Sequence, residues 1–156
     1  MSYNWFPGEH AFLNTLAPTG RYAPTGVIYR RSKTRIGQVM GKGLSKTYLI
    51  GEKFLPPNAY SPGPGSPADD GDNECMFTGY NNDVGRTTYF APRRDVASTA
   101  IPRVTEAAKR FGSAHPTGIG MTCCDGSVQF IGYDVDLLVF KTGGRRADEA
   151  VSAALP

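Results

Sequence analysis

No run of apolar residues in this 156-residue chain approaches the ~18 needed to cross a membrane as a helix; the longest is Leu137-Leu138-Val139-Phe140. The first residues, Met-Ser-Tyr-Asn-Trp, carry no basic stretch ahead of an apolar one, so no signal peptide is read there. Cysteine is scarce: Cys75, Cys123 and Cys124 are too few and too oddly spaced for a disulfide framework or a CxxC metal knuckle. Charge of one sign is also lacking. Seventeen Lys and Arg stand against 14 Asp and Glu, a net +3, which excludes the strong basic field of a nucleic-acid domain. Glycine-rich phosphate loops, serine nucleophile elbows and zinc spacings are missing too. Leu, Ile, Val and Phe number 31, few for a folded chain, but net charge is low and 17 aromatics (8 Tyr, 8 Phe, 1 Trp) can supply a core. With 19 Gly and 12 Pro breaking the chain into short elements, coiled coil and helical bundle are excluded.

What remains is one β-rich α+β domain over residues 1–156, an antiparallel sheet with short helices and long loops. Residues 1–25 read as an irregular entry pinned by Trp5, Phe6, Phe12, Leu13 and Tyr22. Gly26-Val27-Ile28-Tyr29 begins a short strand, Ile36–Val39 a helical turn, and Thr47–Phe54 the clearest early strand, being rich in β-branched and aromatic residues. Residues 55–74 hold five prolines and three glycines and end in an acidic cluster. A loop of that length in a compact domain is usually functional or mobile. Two extended pieces come next over 75–92, turning at Asn81-Asn82-Asp83. Pro102–Arg110 reads as a short helix, Pro at its first position and Gly112 at its exit. Residues 144–156 form a polar, Ala-rich tail.

The most informative local signal is a hairpin over Gly118–Gly132. Asp125-Gly126 predicts a two-residue type I′ turn, since both central positions of that turn need positive φ. That centring pairs Cys123 with Val128, Thr122 with Gln129 and Met121 with Phe130. Ile119, Met121, Cys123, Val128 and Phe130 then share one buried face, and Cys124 falls on the other. Asp134 is expected to cap a helix over Val135–Lys141 that stops at Gly143-Gly144.

His115 and Asp125-Gly126 are separated by nine residues, within Phe111-Gly-Ser-Ala-His115-Pro and Cys124-Asp125-Gly126-Ser-Val-Gln-Phe-Ile131. This resembles the bacterial prepilin-like proteins that end in a prepilin-type processing-associated H-x9-D-G domain. Upstream, Gly26–Ser32, Gly43–Lys53 and Gly79–Thr88 look like that family's middle blocks, so the resemblance covers roughly residues 26–143 in order. It implies a pilin-like globular head, linked to type II secretion and pilus-like systems through a long apolar N-terminal helix. This chain lacks that helix as written, and it reads Thr142-Gly-Gly-Arg-Arg-Ala-Asp-Glu149 where the family tends to Thr-Arg-x-Gly-Gly-Glu. The resemblance places the chain outside the cytoplasm or at the cell surface if such a helix has been removed, and in the cytoplasm if the chain is complete as written. A head deprived of its helix needs another cover for one sheet face: the N-terminal segment with Trp5, Phe6, Phe12 and Leu13 folded back over it, which is the expectation, a second copy of the chain, or else a bare apolar patch of several hundred Å².

Each candidate site has a plainer alternative. His115 suits a metal ligand or general base, but a histidine tying its loop to neighbouring backbone is the simpler reading. Asp69, Asp70, Asp72 and Glu74 superficially resemble a calcium loop, yet Gly71 is out of register for an EF-hand and a solvated acidic loop is the simpler reading. Cys124 could pair with Cys75 if their strands adjoin, while Cys123 belongs in the core. Arg86, Asn82 and Asp83 read as structural, and Arg30-Arg31, Arg93-Arg94 and Arg145-Arg146 as ordinary surface charge. Two functional readings result. The first is a non-catalytic structural or interaction module with no cofactor, no nucleic acid and no membrane span of its own, meeting other pilin-like or secretion-system subunits or itself. The second is a metal- or ligand-binding protein, or an enzyme, using the 62–74 loop and His115.

Overall fold

The computed structural model describes residues 25–29, 32–60, 72, 77, 84–97 and 109–147. Tyr48–Gly51 (β1), Gly118–Cys123 (β4) and Val128–Gly132 (β5) form an antiparallel sheet in the order β1-β4-β5. Arg93–Arg94 (β2) and Gly112–Ser113 (β3) pair in parallel beside it. Two short helices, Gly37–Met40 (α1) and Leu137–Gly143 (α2), and single turns at Leu44–Lys46 and Pro57–Ala59 complete the regular structure of the described residues. The expected β-rich α+β class is the observed one. No helix among the described residues is long and apolar enough to cross a membrane.

The core sits on one face of the sheet. Ile119, Met121 and Cys123 alternate inward from β4 with no exposed surface, and Phe140 of α2 closes over them. Tyr48, Phe111, Ile131, Tyr133 and Val135 pack around this centre, with Phe140 edge-on to Phe111 at 6.1 Å between ring centroids. Burying such side chains contributes on the order of 1.5–3 kcal/mol each, so this cluster dominates the stability of the sheet. A smaller group, Phe54 with Val96, lies under the β2–β3 pair.

The hairpin departs from expectation by one residue. Its loop has three residues, Cys124–Gly126, rather than two. Cys123 N–H donates to Ser127 O at 2.8 Å, and Gly126 N–H returns to Cys123 O at 3.0 Å with Gly126 at φ +85°. This is a type I turn followed by a left-handed residue, the other common hairpin solution, in which only one position needs positive φ. Asp125 selects it: its carboxylate accepts Ser127 N–H at 2.9 Å and Ser127 Oγ–H at 2.6 Å. The register becomes Thr122↔Val128, Met121↔Gln129, Gly120↔Phe130 and Ile119↔Ile131. Cys123 is buried and Cys124 half-buried, as expected, but a slip of one turns β5 over. Val128 and Phe130 leave the core and stand 71% and 60% exposed.

Other boundaries shift for local reasons. Gly26–Tyr29 is bent rather than a strand, its carbonyls met singly: Gly26 O by Arg146 Nη1, Val27 O by Thr34 Oγ1 and Tyr29 O by Ser32 N–H. The strand expected to Phe54 ends at Gly51, and Lys53 bridges instead to Phe111. Asp136, not Asp134, caps α2, accepting Leu138 N–H at 2.8 Å and Val139 N–H at 3.0 Å, so the helix begins two residues late. Gly143 ends it without a left-handed turn; a Cβ there would lie 2.2 Å from the Tyr48 ring. The expected helix over 102–110, the entry segment with Trp5, Phe6, Phe12 and Leu13, and the tail beyond 147 fall outside the described residues, save for Lys109 and Arg110 at the end of the first.

Candidate functional site

Glu52 follows β1 and reaches across to β4. Its Oε2 accepts the Gly120 N–H at 2.6 Å, closing the end of the β1–β4 ladder with a side chain. Its Oε1 takes Ser113 Oγ–H at 3.3 Å and faces His115 Nε2 at the same distance. Ser113 Oγ in turn accepts the backbone N–H of His115 at 3.1 Å. Tyr133, arriving from the far side of the hairpin, donates its hydroxyl to the carbonyls of Ser113 and His115 at 3.0 and 2.9 Å. Ser113 is 5% exposed while the His115 ring is 61% exposed. The resulting cluster ties β1, β3, β4 and the residues after β5 together around one carboxylate.

A nucleophilic relay runs serine to imidazole to carboxylate, with the imidazole between the other two. Here the serine and the imidazole meet the same carboxylate oxygen in parallel. That order suits anchoring. An ionic component in the Glu52–His115 contact exists only while the imidazole is protonated.

Asp125 and Gly126 lie at the opposite end of β4 from His115. Six residues of strand put roughly 20 Å between the two halves of the motif. The nine-residue spacing therefore measures one strand plus its lead-in: His115 fixes where the strand starts, and Asp125-Gly126 turns the chain back. Hydrogen bonds from the Ser127 side chain and backbone hold the Asp125 carboxyl below the usual carboxylate range.

The other candidates spread out. Asp72 pairs with Lys53, the residue after Glu52, whereas His115 takes Glu52 itself, so the described part of the acidic loop and His115 use different partners. Asp69, Asp70 and Glu74 lie outside the described residues, and no three potential metal ligands cluster within them. Cys123 and Cys124 carry free thiols that burial pushes up, away from the reactive thiolate; Cys75 falls outside the described residues. Arg86 is buried, its Nη1 on Gly85 O at 2.8 Å. Arg146 holds Gly26 O and stacks over Tyr29 at 5.5 Å. A second carboxylate anchor went unrecognised in the sequence. Asp95 accepts Leu55 N–H at 3.1 Å and the Tyr60 hydroxyl at 2.5 Å. Desolvation of that hydroxyl and its bond to Asp95 push Tyr60 up to about 12, although the residue as a whole is 47% exposed. Glu52, Ser113 and Tyr133 were missed as well. Only their closeness to strand ends and to the motif could have marked them: Glu52 is the residue after β1, Ser113 lies two before His115, and Tyr133 comes directly after β5.

A family model described as a protein of unknown function (DUF1559) matches residues 4–138. No curated protein and no solved structure matches the chain.

Proposed function

The chain belongs to the DUF1559 family of proteins of unknown function, and we propose that it is a non-catalytic structural or interaction module, the globular head of a prepilin-like protein. One observation carries this reading. The motif residues His115, Asp125 and Gly126 frame the two ends of a strand instead of converging on a reaction centre. Motif side chains that frame a hairpin leave the protein's surface as its working part. The partners implied are other pilin-like or secretion-system subunits, or further copies of the chain.

The test is chemical cross-linking in cells that natively express the protein, with the adducts identified by mass spectrometry. Cross-links to pilin-like or secretion-system subunits, or between copies, are the expected result. Adducts free of any such subunit, with the chain recovered as a monomer, overturn it.

A further inference from the structure

A cleft of about 490 Å³ lies beside β1, within the ~300–1,000 Å³ range of ligand clefts, and all four residues of β1 line it. Among the described residues β1 ladders on one side only, to β4. Glu52 N–H bonds to Gly120 O on that side, so alternation along the strand turns the N–H and C=O of Gly51 the other way, toward the cleft. Beyond Gly51 the chain is already paired: the Glu52 carbonyl accepts the Gly112 N–H at 3.0 Å and Lys53 bridges Phe111, which lines the cleft. Thr25–Ile28 and Gly144–Arg145, joined by the Arg146 N–H to Thr25 O bond, supply further walls. The edge of β1 is thus recessed.

A strand edge of this kind is a template for one more extended chain. Flanking walls admit a single segment and deny the broad approach of a second sheet. Four residues of β1 span ~13 Å, the length of a peptide of about four residues. Charge narrows the choice further. Lys53, Arg86 and Arg145 line the cleft, and no Asp or Glu does among the described residues. Lys53 also holds Asp72, and the two arginines have contacts of their own, so their field acts on a ligand in addition to those contacts.

We propose that this cleft binds an extended peptide segment of a partner protein, ended or flanked by a carboxylate, which adds to the outer edge of β1 as a short strand. Backbone hydrogen bonds along β1 supply affinity, the apolar walls Val27, Tyr48 and Phe111 take alternate side chains, and the three cations orient the acidic end. Strand addition at β1 is independent of membership in a pilus-like assembly, so either can fail alone.

The probe is N-acetyl-Thr-Val-Thr-Val-Glu with a free C-terminus, titrated into the isotope-labelled full chain by NMR. The Gly51 amide, on the regular side of the irregularity between Tyr48 and Ile50, is expected to shift saturably and to gain exchange protection. N-methylation of alternate peptide nitrogens abolishes both effects. Replacing Glu by Lys with an amidated C-terminus, or Lys53→Gln in the protein, weakens binding at least fivefold. Lys53 is a third exposed, so that variant keeps the fold. No saturable shift at the Gly51 amide with the acidic peptide overturns the proposal. So does equal binding of the N-methylated peptide, which would make the cleft a site for small carboxylates, or a shift that follows protein concentration alone, which would mean self-association.

Discussion

The two strands of one hairpin meet opposite fates. β4 sends Ile119, Met121 and Cys123 into the core with no exposed surface, whereas β5, equally apolar in pattern, leaves Val128 and Phe130 in water. Nothing in either strand's own composition accounts for the difference. The loop does: three residues instead of two, with Asp125 bonded to Ser127, rotate β5 by one place and carry its alternate residues to the outer face. Phe130 then lies against Gly118 of β4, its ring 2.8 Å from where a Cβ there would be. Apolar alternation says that a strand has two faces; the turn decides which face is inside.

The contrast has measurable size. Met121→Ala removes packing at the centre of the core and is expected to cost about 2–5 kcal/mol in urea unfolding, while Val128→Thr on the outer face stays within about 0.5 kcal/mol. Comparable costs at the two positions would show that the outer face is covered in solution. A smaller effect tests the loop itself. Gly126→Val forces a β-branched residue to φ +85° and should cost about 1–3 kcal/mol, as should Gly118→Ala, whose Cβ would meet the Ile131 carbonyl oxygen at 2.2 Å. If Gly126→Val unfolds no more easily than wild type, the three-residue turn is not what holds the register. The smallest effect is in acid. Asp125 has its folded-state pKa lowered, so its contribution is fully present above the unfolded value of ~3.9 and is lost as pH falls through the folded value. Asp125→Asn should therefore flatten the acid limb of the stability profile and leave its slope near neutrality unchanged. An unaltered acid limb would put the acid sensitivity elsewhere.

Much of the fold was legible because its signals are local. Alternation at 119, 121 and 123 and a chain reversal at Asp125-Gly126 appear where short-range chemistry puts them, although the loop has three residues rather than two and the helix expected from Val135 begins at Leu137. Asp136 displaced Asp134 as the cap because both are competent and only backbone geometry chooses between them. Gly26–Tyr29 looked like a strand by composition, yet no neighbouring strand among the described residues came to it, and a strand without a ladder partner is only extended chain. Of the candidate site, His115, Asp125 and Gly126 stood out by resemblance. Glu52, 63 positions before His115, carries no local signal that it closes a ladder and holds a serine and an imidazole.

By itself, then, the sequence determined a β-rich domain of short elements with a hairpin near its C-terminal end. These come from residue spacing and turn chemistry, which act over a few positions. Tertiary structure alone decided that Glu52 and Asp95 are anchors and that, among the described residues, no ladder partner comes to Gly26–Tyr29. Each depends on which distant backbone groups arrive at a carboxylate or which strand arrives at an edge. A linear pattern does not encode that, because a hydrogen bond between residues 52 and 120 is specified only once the chain has closed around it.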